Sequence, residues 1–233
     1  MRTLILLTAL LTIGHSHADE ATIAAAYRDG DFSKVIKLTE NGEHDNLRAA
    51  ALQRRGEERF FAADIDGSIA DFDAVVAIEP LQDPHHWQRG LSYYYAEEYE
   101  KGKAQFERHQ TVNSQDVENA AWHFICAVRA PDGSVEAAQE EFIPITRDSR
   151  VPMKEIHALY SGEGSAEAVL AAAEDDRNGL CYAHLYLGLY YEALGEQEKS
   201  AEHVRKAAYD YSMDHYMGKT AQVHAKLRGI EAE

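Results

Sequence analysis

Apolar residues recur every three to four positions along most of this chain, a spacing that places them on one face of an α-helix. The pattern predicts two successive helix pairs, in which residues 49–62 pair with 67–78 and residues 85–97 pair with 99–110. Ala, Leu and Glu are frequent in these segments, and such residues lose little side-chain freedom in a helix. We therefore predict an all-α protein without β-strands.

The first eighteen residues follow a different pattern. An apolar run occupies residues 4–13, and the small side chains of Ser16 and Ala18 follow at the two positions that a signal peptidase reads. The run is too short to cross a bilayer, which takes about 20 apolar residues. We predict a signal peptide at residues 1–18 and a mature chain, residues 19–233, that is periplasmic or secreted and has no integral membrane segment.

A comparison of the chain with itself reveals a period near 34 residues. At this offset Gly56 coincides with Gly90 and Phe72 coincides with Phe106. A period of this length is typical of helical repeats, in which a single helix pair cannot bury its apolar face and consecutive pairs stack. The glycines, together with Gly188 in a later segment, would let neighbouring helices approach closely.

The segment that contains Gly188 carries a known repeat pattern most fully. Residues 185–191 (LYLGLYY) and 195–201 (GEQEKSA), followed by Ala207, resemble the tetratricopeptide repeat (TPR), with Val204 where phenylalanine is usual. The two earlier helix pairs match the same pattern in part. The resemblance implies a TPR-type helix-turn-helix solenoid for the mature chain.

Between the second and the last of these units the pattern loosens. A unit that begins at Trp122 has Cys126 where the glycine is expected, and Pro144 and Pro152 interrupt the helical spacing before a short predicted helix at residues 166–173. This order of units with an irregular helical middle is similar to the periplasmic NlpI-type TPR lipoproteins. The chain departs from them because no lipid-bearing cysteine follows its apolar N-terminal run.

The resemblance implies a scaffold. TPR stacks present a concave face to peptides or partner proteins, and the NlpI-type proteins act as adaptors for cell-envelope hydrolases and proteases. We accordingly predict a protein that is not an enzyme, that needs no cofactor, and that binds partner proteins or peptides in the cell envelope. Cell-wall hydrolases are the candidate partners.

Helical phase indicates which side chains of the first helices line the concave groove. Aromatic side chains there would anchor the apolar groups of a peptide. A second interpretation, in which most of these side chains pack between repeats, stays open. The predicted partner-binding residues are Gln53, Glu57, Phe61, Trp87, Leu91, Tyr94, Tyr95, His123 and Tyr182.

The charge of the chain restricts the kind of partner. Lys and Arg number 23 against 40 Asp and Glu, which gives a formal net charge of -17 and argues against binding nucleic acid. A carboxylate clamp, which some TPR proteins build from Lys, Asn and Arg, is not predicted here because Gln53, Glu57, Trp87 and Leu91 occupy the groove positions. For a charged partner, Glu57, Glu58, Glu97 and Glu98 favour one that is basic or neutral.

Two cysteines, Cys126 and Cys181, lie in the predicted mature chain. Export would permit a disulfide between them, but the tight interhelical place of Cys126 favours buried free thiols. The sequence has no H-E-x-x-H motif, no pair of histidines four residues apart and no C-x-x-C motif, so no metal site is predicted.

Two alternatives come from other functional classes. An enzyme would use carboxylates of the irregular middle segment with a histidine as the general acid or base. A self-assembling structural protein would form a homodimer through an aromatic patch. The residues concerned are Glu140, Glu141, Glu155 and His157 for the enzyme, and Tyr209, Tyr211, Tyr216 and Met217 for the homodimer.

Overall fold

The computed structural model describes residues 20–174 and 176–232, and every regular element within them is helical. The predicted all-α class is therefore confirmed for this part of the chain, whereas the predicted signal peptide lies outside the described residues. The chain divides into two compact units, Met1–Ala51 and Leu52–Glu233. Within the described ranges, no helix combines the length and the apolarity that crossing a bilayer requires.

The first unit contains α1 (Glu20–Arg28), α2 (Phe32–Leu38) and the beginning of α3 (Asp45–Phe61). The Asp31 carboxylate accepts a hydrogen bond from the Lys34 amide at 3.0 Å and caps the N-terminus of α2. These two short helices correspond to a leading helix pair.

The second unit contains the rest of α3 and the remaining helices. Asp64 caps α4 by accepting a hydrogen bond from the Gly67 amide at 3.1 Å, which explains why α4 begins two residues before the predicted position. The helices are α4 (Ile65–Ile78), a 3-10 helix (Pro80–His85), α5 (Trp87–Tyr95), α6 (Tyr99–Gln110), α7 (Val117–Arg129), α8 (Val135–Glu140), α9 (Met153–Tyr160), α10 (Ala166–Ala173), α11 (Arg177–Ala193), α12 (Gln197–Arg205), a π-helical segment (Lys206–Asp210) and α13 (Tyr216–Arg228).

Three helix pairs of this unit share the same turn. The residue seven positions after each repeat glycine has a positive φ, and the next amide donates to the carbonyl five residues earlier, which is a Schellman-type helix end. The turns α3–α4, α5–α6 and α11–α12 contain Ala63 (φ 65°), Glu97 (φ 61°) and Gly195 (φ 77°), and the corresponding hydrogen bonds are Asp64 N to Arg59 O at 2.8 Å, Glu98 N to Tyr93 O at 2.9 Å and Glu196 N to Tyr191 O at 2.9 Å.

The three repeat glycines allow the helices of each pair to pack at close range, as predicted. A Cβ atom at any of them would overlap the large side chain sixteen residues later. The distance from the added Cβ to the nearest side-chain atom would be 2.6 Å for Gly56 (Phe72 Cε1), 2.7 Å for Gly90 (Phe106 Cζ) and 2.5 Å for Gly188 (Val204 Cγ2).

We expect Gly188→Ala to lower the free energy of unfolding by about 1–2 kcal/mol, because forced overpacking outweighs the higher helix propensity of alanine. Chemical denaturation measures the change. Val204→Ala removes the overlapping methyl group, so the double variant should be less destabilised than the sum of the single variants by at least about 0.5 kcal/mol. Additive effects would contradict a steric origin.

The third predicted unit departs from this geometry. Cys126 takes the place of the glycine on α7, and its Sγ atom faces Gly102 of α6, where a Cβ atom would be only 2.8 Å away. The side chain is tolerated because the neighbouring helix contributes a glycine at the contact. Phe142 lies beyond the end of α8 and packs on Phe124 with ring centroids 5.8 Å apart.

Cys126 and Cys181 are both free and buried, in agreement with the interpretation as free thiols. Burial raises the pKa of Cys126 above its ordinary value and that of Cys181 to about 11.

We expect a thiol reagent to leave the native protein unmodified and to modify both thiols in denaturant. Rapid modification of one thiol in the native protein, or none after unfolding without reductant, would contradict this.

Candidate functional site

A cleft of about 400 Å³ opens in the second unit, among α5, α6, α7, α11, α13 and the segment that connects α8 to α9. We call it the aromatic cleft. Its volume lies in the range of small-ligand pockets. The apolar lining consists of Trp87, Phe106, Trp122, Tyr182, Tyr216 and Met217, and the polar lining consists of His109, Asn113, Asp116, Glu118, Asn119, Arg150 and His215.

Ring contacts hold the aromatic side chains in place. Trp87 meets Tyr216 edge to face at a centroid distance of 4.6 Å, and Tyr182 stacks on His215 at 5.0 Å with an interplanar angle of 10°. Three of these residues come from two helix beginnings, because Trp87 and Tyr216 open α5 and α13 and His215 is the N-cap of α13, whereas Tyr182 lies within α11. Trp87, Tyr182 and Tyr216 are only half-buried, so part of each ring is accessible from the cleft.

The connecting segment, residues 141–152, brings Arg150 to the cleft. The segment has no regular secondary structure until just before α9, and the Thr146 amide donates to Oε1 of Gln115 at 3.0 Å. The Arg150 guanidinium donates to Asp148 Oδ1 at 2.9 Å, to Asp116 Oδ1 at 2.6 Å and to Oε1 of Glu118. One cation therefore lies among three carboxylates, and these four groups together carry excess negative charge.

The carboxylates also cap α7. Asp116 Oδ1 accepts from the Glu118 amide at 3.1 Å, and Asp148 Oδ2 accepts from the Val117 amide at the same distance. Burial alone would raise the pKa of Asp148, but the hydrogen bonds from Arg150 and Val117 outweigh it and hold the pKa below its ordinary value. Asp148 therefore stays ionised beside the cleft at neutral pH.

Glu118 is the most strongly perturbed acid of the cleft. Its side chain is nearly buried, and burial raises its pKa to about 7 although Arg150 and the Tyr186 hydroxyl act in the opposite direction. The Tyr186 hydroxyl donates to Glu118 Oε2 at 2.6 Å. Glu118 therefore changes its charge near neutral pH.

The two histidines of the cleft have fixed hydrogen-bond roles. His215 Nδ1 accepts from the Gly218 amide at 3.0 Å, which leaves Nε2 to donate to Asn178 Oδ1 at 2.8 Å. Burial lowers the pKa of His215, so the ring is neutral at pH 7. His109 Nδ1 lies 2.9 Å from the Pro84 carbonyl oxygen and donates to it.

Three polar atoms of cleft residues are buried without a hydrogen-bond partner among the described residues. They are Trp122 Nε1, Asn119 Oδ1 and the Tyr216 hydroxyl. An unpartnered buried polar atom costs free energy unless a ligand or water satisfies it. Trp122 is 1% exposed and Asn119 is 3% exposed, so their unpaired atoms are shielded from bulk solvent.

The structure brings two of the nine predicted partner-binding residues, Trp87 and Tyr182, into the aromatic cleft. Phe61 lies beside it and packs on Tyr216 at a centroid distance of 4.8 Å. Glu57 and Gln53 lie about one and two turns from Phe61 on α3, where Gln53 Nε2 donates to Glu57 Oε1 at 2.8 Å. Glu57 also accepts from Gln88, the neighbour of Trp87, at 3.5 Å.

The other four predicted positions are buried: Leu91, Tyr94, Tyr95 and His123 are at most 7% exposed. They pack between helices, as the second interpretation of the groove has it. The Tyr95 hydroxyl lies 3.2 Å from His224 Nδ1, and His123 Nε2 lies 3.4 Å from Glu107 Oε1. These side chains are part of the core and do not face an open groove.

Tyr94 belongs to a buried polar network around Glu192 of α11. Its hydroxyl donates to Glu192 Oε2, while Arg228 donates to Oε1 and Arg129 Nη1 lies 3.4 Å from the same oxygen. The Glu192 side chain is 3% exposed. Burial alone would raise its pKa, but His224 and Arg228 outweigh burial and lower it. The network joins α5, α7, α11 and α13.

Sequence reasoning did not select most of the cleft. Asp116 and Glu118 read as ordinary acidic residues at a helix start, and Arg150 follows them by more than thirty residues in an irregular segment. Trp122 served only to mark the repeat. The available signal was the aromatic content of the first turns of α5 and α13, which does not by itself reveal that the two turns meet.

The residues of the two alternatives lie elsewhere or are dispersed. Glu141 pairs with Lys103 at 2.9 Å, and His157 Nε2 accepts from the Ile145 amide at 3.2 Å; neither residue lines the aromatic cleft. Of the patch considered for a homodimer, Tyr216 and Met217 line the cleft. Tyr211 stacks on His184 at 5.3 Å.

No group of three or more His, Cys, Asp or Glu side chains within residues 20–174 and 176–232 is arranged to hold a metal ion. A scan against protein-family models and a search of the curated proteins give no match for this chain. Its function is therefore argued from the fold and the cleft.

Proposed function

We propose that this chain is a TPR-type scaffold of the cell envelope that binds peptide segments of partner proteins through the aromatic cleft. The repeated geometry supports the TPR assignment. Three helix pairs share a glycine-to-large-residue contact with the same spacing and a left-handed turn residue at the same position. Such regularity is typical of repeats that stack on their neighbours.

The observation that carries the binding function is the aromatic cleft itself. It combines half-buried Trp and Tyr rings with buried polar atoms that lack partners among the described residues, at a volume of about 400 Å³. Binding energy at protein interfaces concentrates on aromatic side chains in such partly enclosed places. Phe61, Glu57 and Gln53 extend the surface beyond the cleft, so a peptide would contact α3 as well.

Affinity capture from a cell-envelope extract tests this proposal. The chain from Asp19 onward is compared with a Trp87→Ala, Tyr182→Ala variant, both verified as folded by circular dichroism. We expect at least one protein that the first chain retains and the variant loses, because the variant removes two accessible ring surfaces of the cleft.

Tyr209→Ala is the control, since Tyr209 is 40% exposed and does not line the cleft. The control should retain the same proteins as the unchanged chain. Identical retention by all three chains, or retention by none, would contradict the proposal.

A further inference from the structure

The charge of the aromatic cleft indicates which chemical group it accepts. We propose that the cleft binds the cationic side chain of an arginine or lysine in a partner peptide, between the rings of Trp87, Tyr182 and Tyr216 and the carboxylates of Asp116 and Glu118. The peptide as the source of the cation rests on the proposed function. The preference for a cation follows from the cleft alone.

The polar lining is unsuited to an anion. Among the described residues that line the cleft, Arg150 is the one Lys or Arg side chain, and its guanidinium already donates to Asp116, Glu118 and Asp148. An incoming anion would find its donors occupied and would approach three carboxylates. A cation instead relieves their excess negative charge.

The carboxylates retain capacity for further donors. A carboxylate offers about four lone-pair sites. Glu118 accepts from Arg150 at one oxygen and from Tyr186 at the other. Asp116 accepts from Arg150 and the Glu118 amide at Oδ1 and from Asn113 Nδ2 at Oδ2, at 3.0 Å, which leaves about one site at Oδ2. A guanidinium or an ammonium group carries donors alone, so it can use the remaining sites.

The aromatic lining suits the same group. A cation within about 6 Å of an aromatic centroid is attracted to the ring face, and tryptophan and tyrosine give the strongest attraction. The half-buried rings come from α5, α11 and α13, and the alkyl stem of a basic side chain would pack along them. Each part of an arginine or lysine side chain thus has a counterpart in the cleft.

The unpartnered atoms extend the match from a cation to a peptide. Within residues 20–174 and 176–232, Asn119 Oδ1 is an acceptor without a donor, which an N–H of the cation satisfies. In the same ranges Trp122 Nε1 is a donor without an acceptor. A cationic head group offers no acceptor, but the backbone carbonyl of a peptide does. A free organic cation would leave this donor unpaired.

Tryptophan fluorescence measures binding in the cleft directly, because the chain has two tryptophans, Trp87 and Trp122, and both line it. The probes are acetyl-Ala-Ala-Arg-Ala-Ala-amide, the same peptide with neutral citrulline in place of arginine, and propylguanidinium, a free cation that has no carbonyl group. We expect a saturable change with the arginine peptide and an affinity at least about tenfold lower for the citrulline peptide, the loss of one charge-assisted contact. Equal affinities for the two peptides, or no saturable change with any probe, would overturn the proposal.

Variants test the named side chains. Asp116→Asn keeps a helix-capping residue and removes one charge, and Trp87→Leu removes one ring while Trp122 still reports binding. We expect each substitution to lower the affinity for the arginine peptide at least about fivefold. Glu198→Gln, which removes an exposed charge on α12 outside the cleft, is the control and should bind like the unchanged chain. An effect of the control as large as that of Asp116→Asn would overturn the assignment to the cleft.

The outcomes of the peptide-binding and capture experiments separate the cation preference from the proposed function. If propylguanidinium binds as tightly as the arginine peptide, the cleft takes a free cation, so the peptide part fails while the cation preference stands. If partner capture depends on Trp87 and Tyr182 but the citrulline peptide binds as well as the arginine peptide, the scaffold function stands and the cation preference fails.

Discussion

Replacing Glu192 with alanine is expected to lower the free energy of unfolding by about 3–5 kcal/mol, the usual cost of removing one partner from a buried ionic network. The carboxylate is 3% exposed and accepts from Arg228 and from the hydroxyl of Tyr94, which is itself fully buried. Its removal leaves that hydroxyl and two neighbouring guanidinium groups without their acceptor. Urea denaturation followed by circular dichroism measures the loss.

Substitutions that remove less of the network should cost less stability than Glu192→Ala. Tyr94→Phe removes a single hydroxyl donor and is expected to cost about 1–2 kcal/mol. Glu198→Ala, six residues along the chain and exposed on α12, should change stability by less than about 0.5 kcal/mol. A loss below about 1 kcal/mol for Glu192→Ala would show that the network does not hold α5, α11 and α13 together.

Acidification is expected to destabilise the protein by on the order of 3 kcal/mol between about pH 7.5 and about pH 5. Burial is the main cause that lowers the pKa of three histidines, His86, His184 and His224, from 6.5 to about 4. All three are at most 5% exposed. Denaturant titrations at a series of pH values measure this dependence.

The direction follows from the protons that each state binds. Below pH 6.5 the unfolded chain protonates these histidines while the folded chain keeps them neutral, so stability is lost as the pH falls from about 6.5 towards about 4. Glu118 acts in the opposite sense. Because its pKa is raised from 4.5 to about 7, the folded state gains stability as the pH falls through that interval. Glu118 therefore offsets only part of the stability that the three histidines lose on acidification.

His86 offers the sharpest variant for this prediction. Its ring packs on Phe72 at a centroid distance of 4.9 Å, and both ring nitrogens lack a hydrogen-bond partner within the described ranges. His86→Phe should therefore keep the packing and reduce the net acid sensitivity by roughly half, because each histidine contributes about 2 kcal/mol and Glu118 offsets part of the total of the three. The exposed neighbour is the control, and His85→Gln should keep the original pH dependence. Stability that is constant or rises on acidification would contradict the prediction.

The regular helices followed from local sequence signals. The predicted segments 99–110 and 166–173 coincide with α6 and α10, and Ser165 caps α10 by accepting from the Ala168 amide at 3.2 Å. Such elements are set by helical spacing and by the residues at their ends, both of which are written in a short stretch of sequence. The prediction 85–97 was longer than α5 because Pro80–His85 forms a separate 3-10 helix.

Helical phase was a poor guide to the binding face of α5. Six consecutive residues, Gly90 to Tyr95, are buried, so this helix has core contacts around most of its circumference. A helix packed between neighbours does not show an open face in its own periodicity. Tyr94 and Tyr95 resemble groove aromatics in sequence, but their hydroxyls form hydrogen bonds with Glu192 and His224 in the interior.

The sequence by itself determined the all-α class, the helix pairs and the close contacts at the repeat glycines, because spacing, caps and residue size act over a few turns. Only the tertiary structure decided the aromatic cleft. Arg150 reaches Asp116 and Glu118 from more than thirty residues away through an irregular segment, and Trp87 meets Tyr216 from the far end of the unit. Contacts between such distant residues depend on how all the intervening helices pack, and no local pattern records that arrangement.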